Sequence, residues 1–567
     1  MKAGERTLQQ LLHSGDQYVI PVFQRYYTWT RDDWSRLWED IAALLDTGEE
    51  KRRHFLGSIV CVPEHHQPGR VPAYQVIDGQ QRLTTLSILL CAVRELAREV
   101  GANDLAGEVN ESYLVHKFKK DREHYKIFLR LRDRSTYMAL IDKGEADDGS
   151  QIEVAFRYFV KVLKESGHAD DEAALRAVCT AVTSRLDVVA ITLEGENPYK
   201  IFKSLNSTGV DLEQGDLIRN HVFMALPIEQ QDRFDDEHWR PLEAHFEQDG
   251  ELVGERFTSF FRDVLLRHGR YIGKNAAYEA FESNWPVAAI KPFDLLPELA
   301  QLADLYDIIE GRATPSSAEV DAALVFIRAL NVSTSYPLLL HLLDAHKEGT
   351  LSSDGLVRCL RMISSFVLRR YVCSESSRAY SRWFCIVCKE LGVDIEGNLR
   401  SFLEGKGWPD DTHFEQAFIK MDLYQSKYGR AVLDGLELSQ QRDSERVALD
   451  KCTVEHVMPQ TIEDDADGEA WMATLGADWR AAHASWLHTP GNLTLVGHDY
   501  NSAMKNRPFP TKKPVLAASK VYLNKHFADG GIEKWSADEI AARGMGLAKL
   551  AAAVWPRPGV PAATPAS

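Results

Sequence analysis

The sequence predicts an α+β chain of several domains, with an α/β domain in front, an all-helical middle and a small strand-strand-helix domain at the back. Three observations carry that expectation. Strand-like runs that feed helices through glycine turns cluster before residue 225. From 227 to 439 nearly every window places apolar residues three and four apart. Beyond 440 two β-rich runs, TVEHVMPQ and GNLTLVG, precede a helical NSAMKN. The expected boundaries are 1–225, 226–440 and 441–550, followed by a Pro- and Ala-rich stretch over 551–567 that cannot build a core.

Composition limits what such a chain can do. Its 567 residues, 44% hydrophobic and 26% charged, suffice for two to four domains with cores of their own. No apolar run reaches the roughly eighteen residues a membrane span needs, and the opening MKAGERTLQQLLHSGDQ lacks a signal-peptide core, so a cytoplasmic protein with no membrane partner is expected. Eight scattered cysteines in a large chain predict reduced thiols. Cys385 and Cys388 form a CxxC, but it lies in the apolar helical pattern SRWFCIVCKE with no second pair, as core thiols would. A net charge of −17 offers phosphates no general attraction, so any contact with nucleic acid must use local basic patches. Two windows qualify. Between 501 and 527 Lys505, Arg507, Lys512, Lys513, Lys520 and Lys525 stand with no acid among them. The segment 116–134 carries eight Lys or Arg against three acids, and reads either as a DNA contact or as a solvated amphipathic helix.

In chain order, residues 5–16 read as a short helix before the strand-like YVI. The loop PVFQRYYTW then holds Gln24 and Arg25 among Phe23, Tyr26, Tyr27 and Trp29, a set that suits core packing, a nucleotide ring or a flipped base. An amphipathic helix follows from Asp32 or Asp33, with Trp34, Leu37, Trp38, Ile41 and Leu45 on one face. HFLGSIVCVP is a strand, and YQVID a second one. Gly79 turns the latter into a helix whose buried face carries Leu83, Leu86, Leu89 and Leu90. The pentad DGQQR therefore opens a helix, where backbone N–H groups favour anions. Arg82 is suited to fork onto phosphate oxygens and Asp78 to hold a metal or orient water; the same spacing also fits Asp78 as a helix cap paired with Arg82.

Residues 105–180 read as helical around an exposed loop at 142–150, and RLDVVAITLEG as a strand. A helix ending at Asn206, a loop with Gly209 and a second helix from Asp211 form a junction at which Asn206 and Gly209 suit a simple turn. The helical middle presents no reactive constellation. Arg369 and Arg370 there suit surface ion pairs or DNA contacts.

IPVFQRYYTW followed by VIDGQQRLTTL resembles the N-terminal domain of GmrSD-type modification-dependent restriction systems, whose fold is related to ParB and sulfiredoxin. The resemblance implies binding and hydrolysis of a nucleoside triphosphate, GTP or ATP, through Asp78, Gly79, Gln80, Gln81 and Arg82. Gln24, Arg25 and Asn206 complete the expected nucleotide site, with Asp78 and Arg82 as its catalytic pair.

At the far end the residues themselves point to phosphodiester hydrolysis, which needs an activated water and charge relief on the phosphate. His456 has the right unperturbed pKa for a general base, although a lone strand histidine is often a core residue; the asparagines nine residues apart and the acid-free lysine cluster favour the catalytic role. Glu455 beside it points to the opposite strand face, and Asn501 offers an oxygen to a hard cation such as Mg2+ or Mn2+. Lys505, Arg507, Lys512 and Lys513 are expected to grip the DNA backbone.

Strand, strand and helix in this order resemble the His-Me finger or HNH nucleases. That resemblance implies His456 as the base, Asn492 as the brace of its loop, and Glu455 and Asn501 as metal ligands. His483, His488 and His498 remain accessories. The order of the two ends resembles single-chain GmrSD-type fusions, with relatives such as BrxU and SspE. It implies cleavage of double-stranded foreign DNA, commonly modified phage DNA, gated by the nucleotide domain; a homodimer is compatible.

Overall fold

The computed structural model describes residues 2–21, 24, 26–46, 52–64, 69–193, 213–249, 251–315, 317–441, 447–497 and 504–557. It divides into two compact units. The first comprises Met1–Ala244, Gln248–Glu255 and Phe281–Pro297; the second comprises His245–Glu247, Arg256–Ala280 and Glu298–Ser567. Helices of the central region thus fall in both units.

The first unit is built on a six-stranded mixed sheet. Its strands are β1 (Lys2–Thr7), β2 (Gln17–Val19), β3 (His54–Pro63), β4 (Ala73–Asp78), β5 (Ile127–Phe128) and β6 (Leu186–Thr192), in the order β1-β6-β3-β4-β2-β5. The helix Gln80–Glu99 follows β4 after a single residue and is buried along most of its length. Gly79 makes that turn possible with φ +88°, a left-handed value that a side chain tolerates poorly. A Cβ there would also meet Ser58 O at 2.7 Å.

Two expectations fail here for identifiable reasons. Residues 2–7 form a strand, because β6 offers them a complete antiparallel partner from Lys2↔Thr192 to Thr7↔Asp187; the helix is confined to Leu8–Leu12. The basic segment 116–134 is no amphipathic helix. A bridge between Val115 and Tyr125 closes a loop, β5 follows, and a helix starts only at Leu131. Two of its cations point inward: Lys126 Nζ donates to Leu12 O, and Arg130 lies over the Tyr26 ring and pairs with Asp235 at 3.4 Å.

The second unit contains helices including Ala318–Leu330, Tyr336–Lys347, Ser353–Val372, Tyr380–Glu390, Asp411–Lys420 and Gly429–Gln440. Ser317, Ser352 and Asp410 cap three of them through their side chains. Cys385 and Cys388 lie buried and free on Tyr380–Glu390, as core thiols. Arg369 and Arg370 are buried rather than on the surface. Arg369 donates to Pro409 O, Ala552 O and Trp555 O and pairs with Asp411 at 2.6 Å; Arg370 donates to Lys406 O, Gly407 O and Ser376 O.

The chain then forms an antiparallel pair, Cys452–His456 with Leu493–Gly497, in the register Leu493↔His456 and Thr494↔Glu455. Between these strands the expected helical insertion is present as Ala466–Leu475 and Trp479–Trp486. Beyond them come Phe509–Ala517 and Ala537–Val554; the helix start expected at Asn501 lies outside the described residues. Val457, Met458, Trp471, Val496, Phe509, Phe527, Trp535 and Ile540 pack into one core beneath the strand pair. The helix Ala537–Val554 is fastened to it by Arg543, whose buried guanidinium donates to Gly491 O, Leu493 O and Leu523 O. Gly491 lets that helix approach, since a Cβ there would stand 2.1 Å from Ile540 O.

Candidate functional site

In the first unit the residues of DGQQR gather where β4 meets its helix. Asp78 ends the strand, and its carboxylate lies 3.7 Å from Arg82 Nη2 and 3.5 Å from Ser58 Oγ. Arg82 also donates through Nη1 to Ser58 O at 2.7 Å. The cap position is occupied by Gly79 and makes no side-chain bond, so Asp78 is not the helix cap. Gln81 reaches the aromatic loop from both ends of its amide: it accepts from Thr28 N at 3.0 Å and donates to Tyr26 O at 2.9 Å. Gln24 is tied to the same junction by donating to Ile77 O at 2.7 Å, and Gln80 is buried.

Gln24, Asp78, Gly79, Gln81 and Arg82 of the expected nucleotide site are therefore neighbours. Tyr27 proves to be core: it is buried, bonded to Thr85 Oγ1 at 2.7 Å and accepts from Trp34 Nε1 at 2.8 Å. Phe23, Arg25, Phe202, Asn206 and Gly209 lie outside the described residues. Gly57 and Ser58 were missed. Gly57 has φ +120°, and a Cβ there would sit 2.2 Å from Arg82 Nη1, so this glycine is what gives the guanidinium its seat against β3. A glycine inside a strand pattern, as in HFLGSIVCVP, was the available signal.

In the second unit His456 ends its strand, buried, with Nε2 3.1 Å from Nδ1 of His488. Burial first, then the neighbouring His488, Lys512 and His483, hold its pKa down to about 3, so the ring is neutral at physiological pH. The loop after His456 is braced by Asn492. Its Oδ1 accepts from Met458 N at 2.7 Å and Trp535 Nε1 at 3.2 Å, while Nδ2 donates to Met458 O at 3.0 Å and Leu487 O at 2.8 Å. With its amide fully engaged, Asn492 can orient the loop but has nothing left for a ligand.

Lys512 behaves differently from the expectation of a DNA-gripping cation. It is buried and donates to Glu455 Oε1 at 2.8 Å and His456 O at 2.9 Å. Burial pushes the Glu455 carboxyl up and the Lys512 ammonium down, and each partner pulls the other back toward its charged form. Lys513 is likewise occupied, donating to Asp529 O and Ile532 O. Lys505 and Arg507 are exposed.

The N-terminal domain model of the GmrSD restriction endonucleases matches residues 8–223, and the C-terminal domain model of the same enzymes matches residues 408–550. This chain belongs to the GmrSD restriction endonuclease family. Comparison with curated proteins finds no match. The two GmrSD spans take in both constellations described above, DGQQR in the first and His456 with Asn492 in the second.

The donor chemistry of this GmrSD chain fits a divalent cation only in part. Among the described residues no three His, Cys, Asp or Glu side chains gather as a metal cage. Glu455 has one oxygen committed to an ammonium, which opposes a cation at that side. Asn501 and His498 lie outside the described residues. Also among the described residues, no helix of the GmrSD chain is long and apolar enough to cross a membrane.

Proposed function

We propose that this chain is a metal-dependent DNA endonuclease of antiviral restriction, regulated by a nucleoside triphosphate. The observation that carries the reading is the placing of His456 at a strand end beside His488, its following loop held by all four bonds of Asn492. A neutral imidazole takes a proton from water; the water oxygen bonds to phosphorus, the bond to the leaving oxygen breaks with its electron pair, and solvent protonates that oxygen. Lys505 and Arg507 supply surface charge for the flanking DNA backbone. Mg2+ or Mn2+, when bound, relieves charge on the phosphate; Asn501 is its proposed ligand, and Glu455 joins only if Lys512 releases it.

In the first unit Asp78 and Arg82 are the proposed catalytic pair for GTP or ATP, with Gln24, Arg25, Gly79, Gln80, Gln81 and Asn206 forming the rest of the pocket. Support comes from the left-handed turn at Gly79, which opens a helix N-terminus without a side-chain cap, and from Arg82 standing beside it. The DNA is double-stranded and foreign, phage DNA bearing modified bases or backbone being the natural target for an enzyme of this family. A homodimer is compatible with the proposal.

Plasmid nicking in Mg2+ or Mn2+, with and without each NTP, tests this directly. Wild-type protein is expected to cut and His456→Ala to lose at least about 10²-fold in rate; equal behaviour of the two overturns the nuclease reading and leaves a DNA-binding module. Phosphate release unchanged by Asp78→Ala and Arg82→Ala overturns the NTPase. A substrate panel of plain, hydroxymethylated, glucosylated and phosphorothioate DNA identifies the modification.

A further inference from the structure

The contact between His456 and His488 carries more than proximity. Their nitrogens stand 3.1 Å apart, which requires one proton shared between two rings that each offer a donor or an acceptor at that atom. If His488 Nδ1 were the donor, neutral His456 would spend its lone pair on Nε2 and carry its hydrogen on Nδ1, leaving no nitrogen to receive a proton. If His456 Nε2 is the donor, Nδ1 keeps its lone pair. Only the second arrangement yields a base.

We propose that His488 is a positioning residue that fixes the tautomer of His456, so that Nδ1 is the atom that deprotonates the attacking water; this rests on the nuclease reading above. The surroundings hold His488 for that task. The Tyr424 ring lies parallel to it, 10° between planes and 5.3 Å between centroids, and meets His456 edge-on at 4.3 Å. The backbone carbonyl of His488 is pinned as well, accepting from Leu423 N at 2.9 Å and Tyr424 N at 3.3 Å. Two residues further on, Pro490 and Gly491 begin the helical turn that delivers Asn492. His456 ends one strand of the pair, and both of its supports come from the segment that leads into the other. Which ring nitrogen of a histidine is protonated is set by the bond the other makes, and Asn492, spent on backbone groups and Trp535, makes none to the ring.

Substitutions of His488 separate this role from packing. Phe keeps the ring that stacks on Tyr424 but has no acceptor; Asn loses the ring but places Oδ1 near the former Nδ1. Full-length His488→Ala and His488→Phe are expected to cut plasmid about tenfold to a hundredfold more slowly with KM within about twofold of wild type, and His488→Asn to recover most of the rate. Nitrogen-15 histidine NMR supplies a readout that needs no turnover: His456 should be the Nε2–H tautomer in the wild type and a mixture in His488→Ala. The proposal is overturned if His488→Ala cuts at the wild-type rate, if Phe serves as well as Asn, or if wild-type His456 carries its proton on Nδ1. Loss of cutting through unfolding shows separately in urea denaturation, in which case the Asn variant and the wild-type NMR decide. Equal cutting by wild type and His456→Ala fails the nuclease reading instead, and the tautomer measurement still decides the pairing.

Discussion

At Gly57 the absence of a side chain does chemical work. Alanine there would both strain a φ of +120° and occupy the place of Arg82 Nη1. Gly57→Ala is expected to abolish the proposed NTP binding, tested by calorimetry, and to lower stability by about 1–3 kcal/mol, read by urea unfolding. Binding retained with stability unchanged would show that Arg82 moves freely. Asn492 is the second such position. Its four bonds include two to the backbone of Met458, which is buried, so Asn492→Ala leaves donors and acceptors unsatisfied and should cost about 3 kcal/mol. Asn492→Asp is informative too, since a carboxylate cannot donate to Met458 O or Leu487 O; it should destabilise the protein as well, whereas a purely catalytic role would leave unfolding unchanged.

Strands and helices decide which cations are available. Lys512 lies on Phe509–Ala517, whose buried face meets the strand carrying Glu455. Removing the lysine alone strands a buried carboxylate, so Lys512→Met should destabilise by about 3–5 kcal/mol, and adding Glu455→Gln should restore much of that. Fluorescence-monitored denaturation of the single and double variants measures the coupling; additive losses would deny the pair. This residue also shows where sequence stops being informative. Spacing marked the strands, the glycine turn and the helix after DGQQR, because those follow from local periodicity and turn chemistry, whereas the Asn492 brace came only from the resemblance to His-Me finger nucleases. A run of lysines does not reveal which member faces inward, since that depends on a strand some 57 positions away. For the same reason the inward turn of Lys126, Arg130, Arg369 and Arg370, and the recruitment of Lys2–Thr7 by β6, were invisible: each is a long-range partnership overriding a local pattern.

Over the whole molecule, buried histidines set the response to acid. Burial holds His456 down to about 3 and His526 down to about 4, against 6.5 when unfolded. Each depressed group adds stability that is present above pH 6.5 and is lost as pH falls toward its folded value, because the unfolded chain binds the extra proton. The stability that these rings contribute should therefore drop between pH 6.5 and 4, and His526→Gln should flatten the slope of unfolding free energy against pH; a slope unchanged in that variant would contradict the burial of its ring. The fastening of Ala537–Val554 has its own consequence. The strand Leu493–Gly497 and the turn bearing Asn492 receive the guanidinium of Arg543, and Arg369 and Ser365 donate to the carbonyl of Trp555. Removing Ala537–Val554 would leave the carbonyls of Gly491 and Leu493 without the Arg543 donor, so the segment that carries Asn492 is expected to depend on a helix some 50 residues further along the chain.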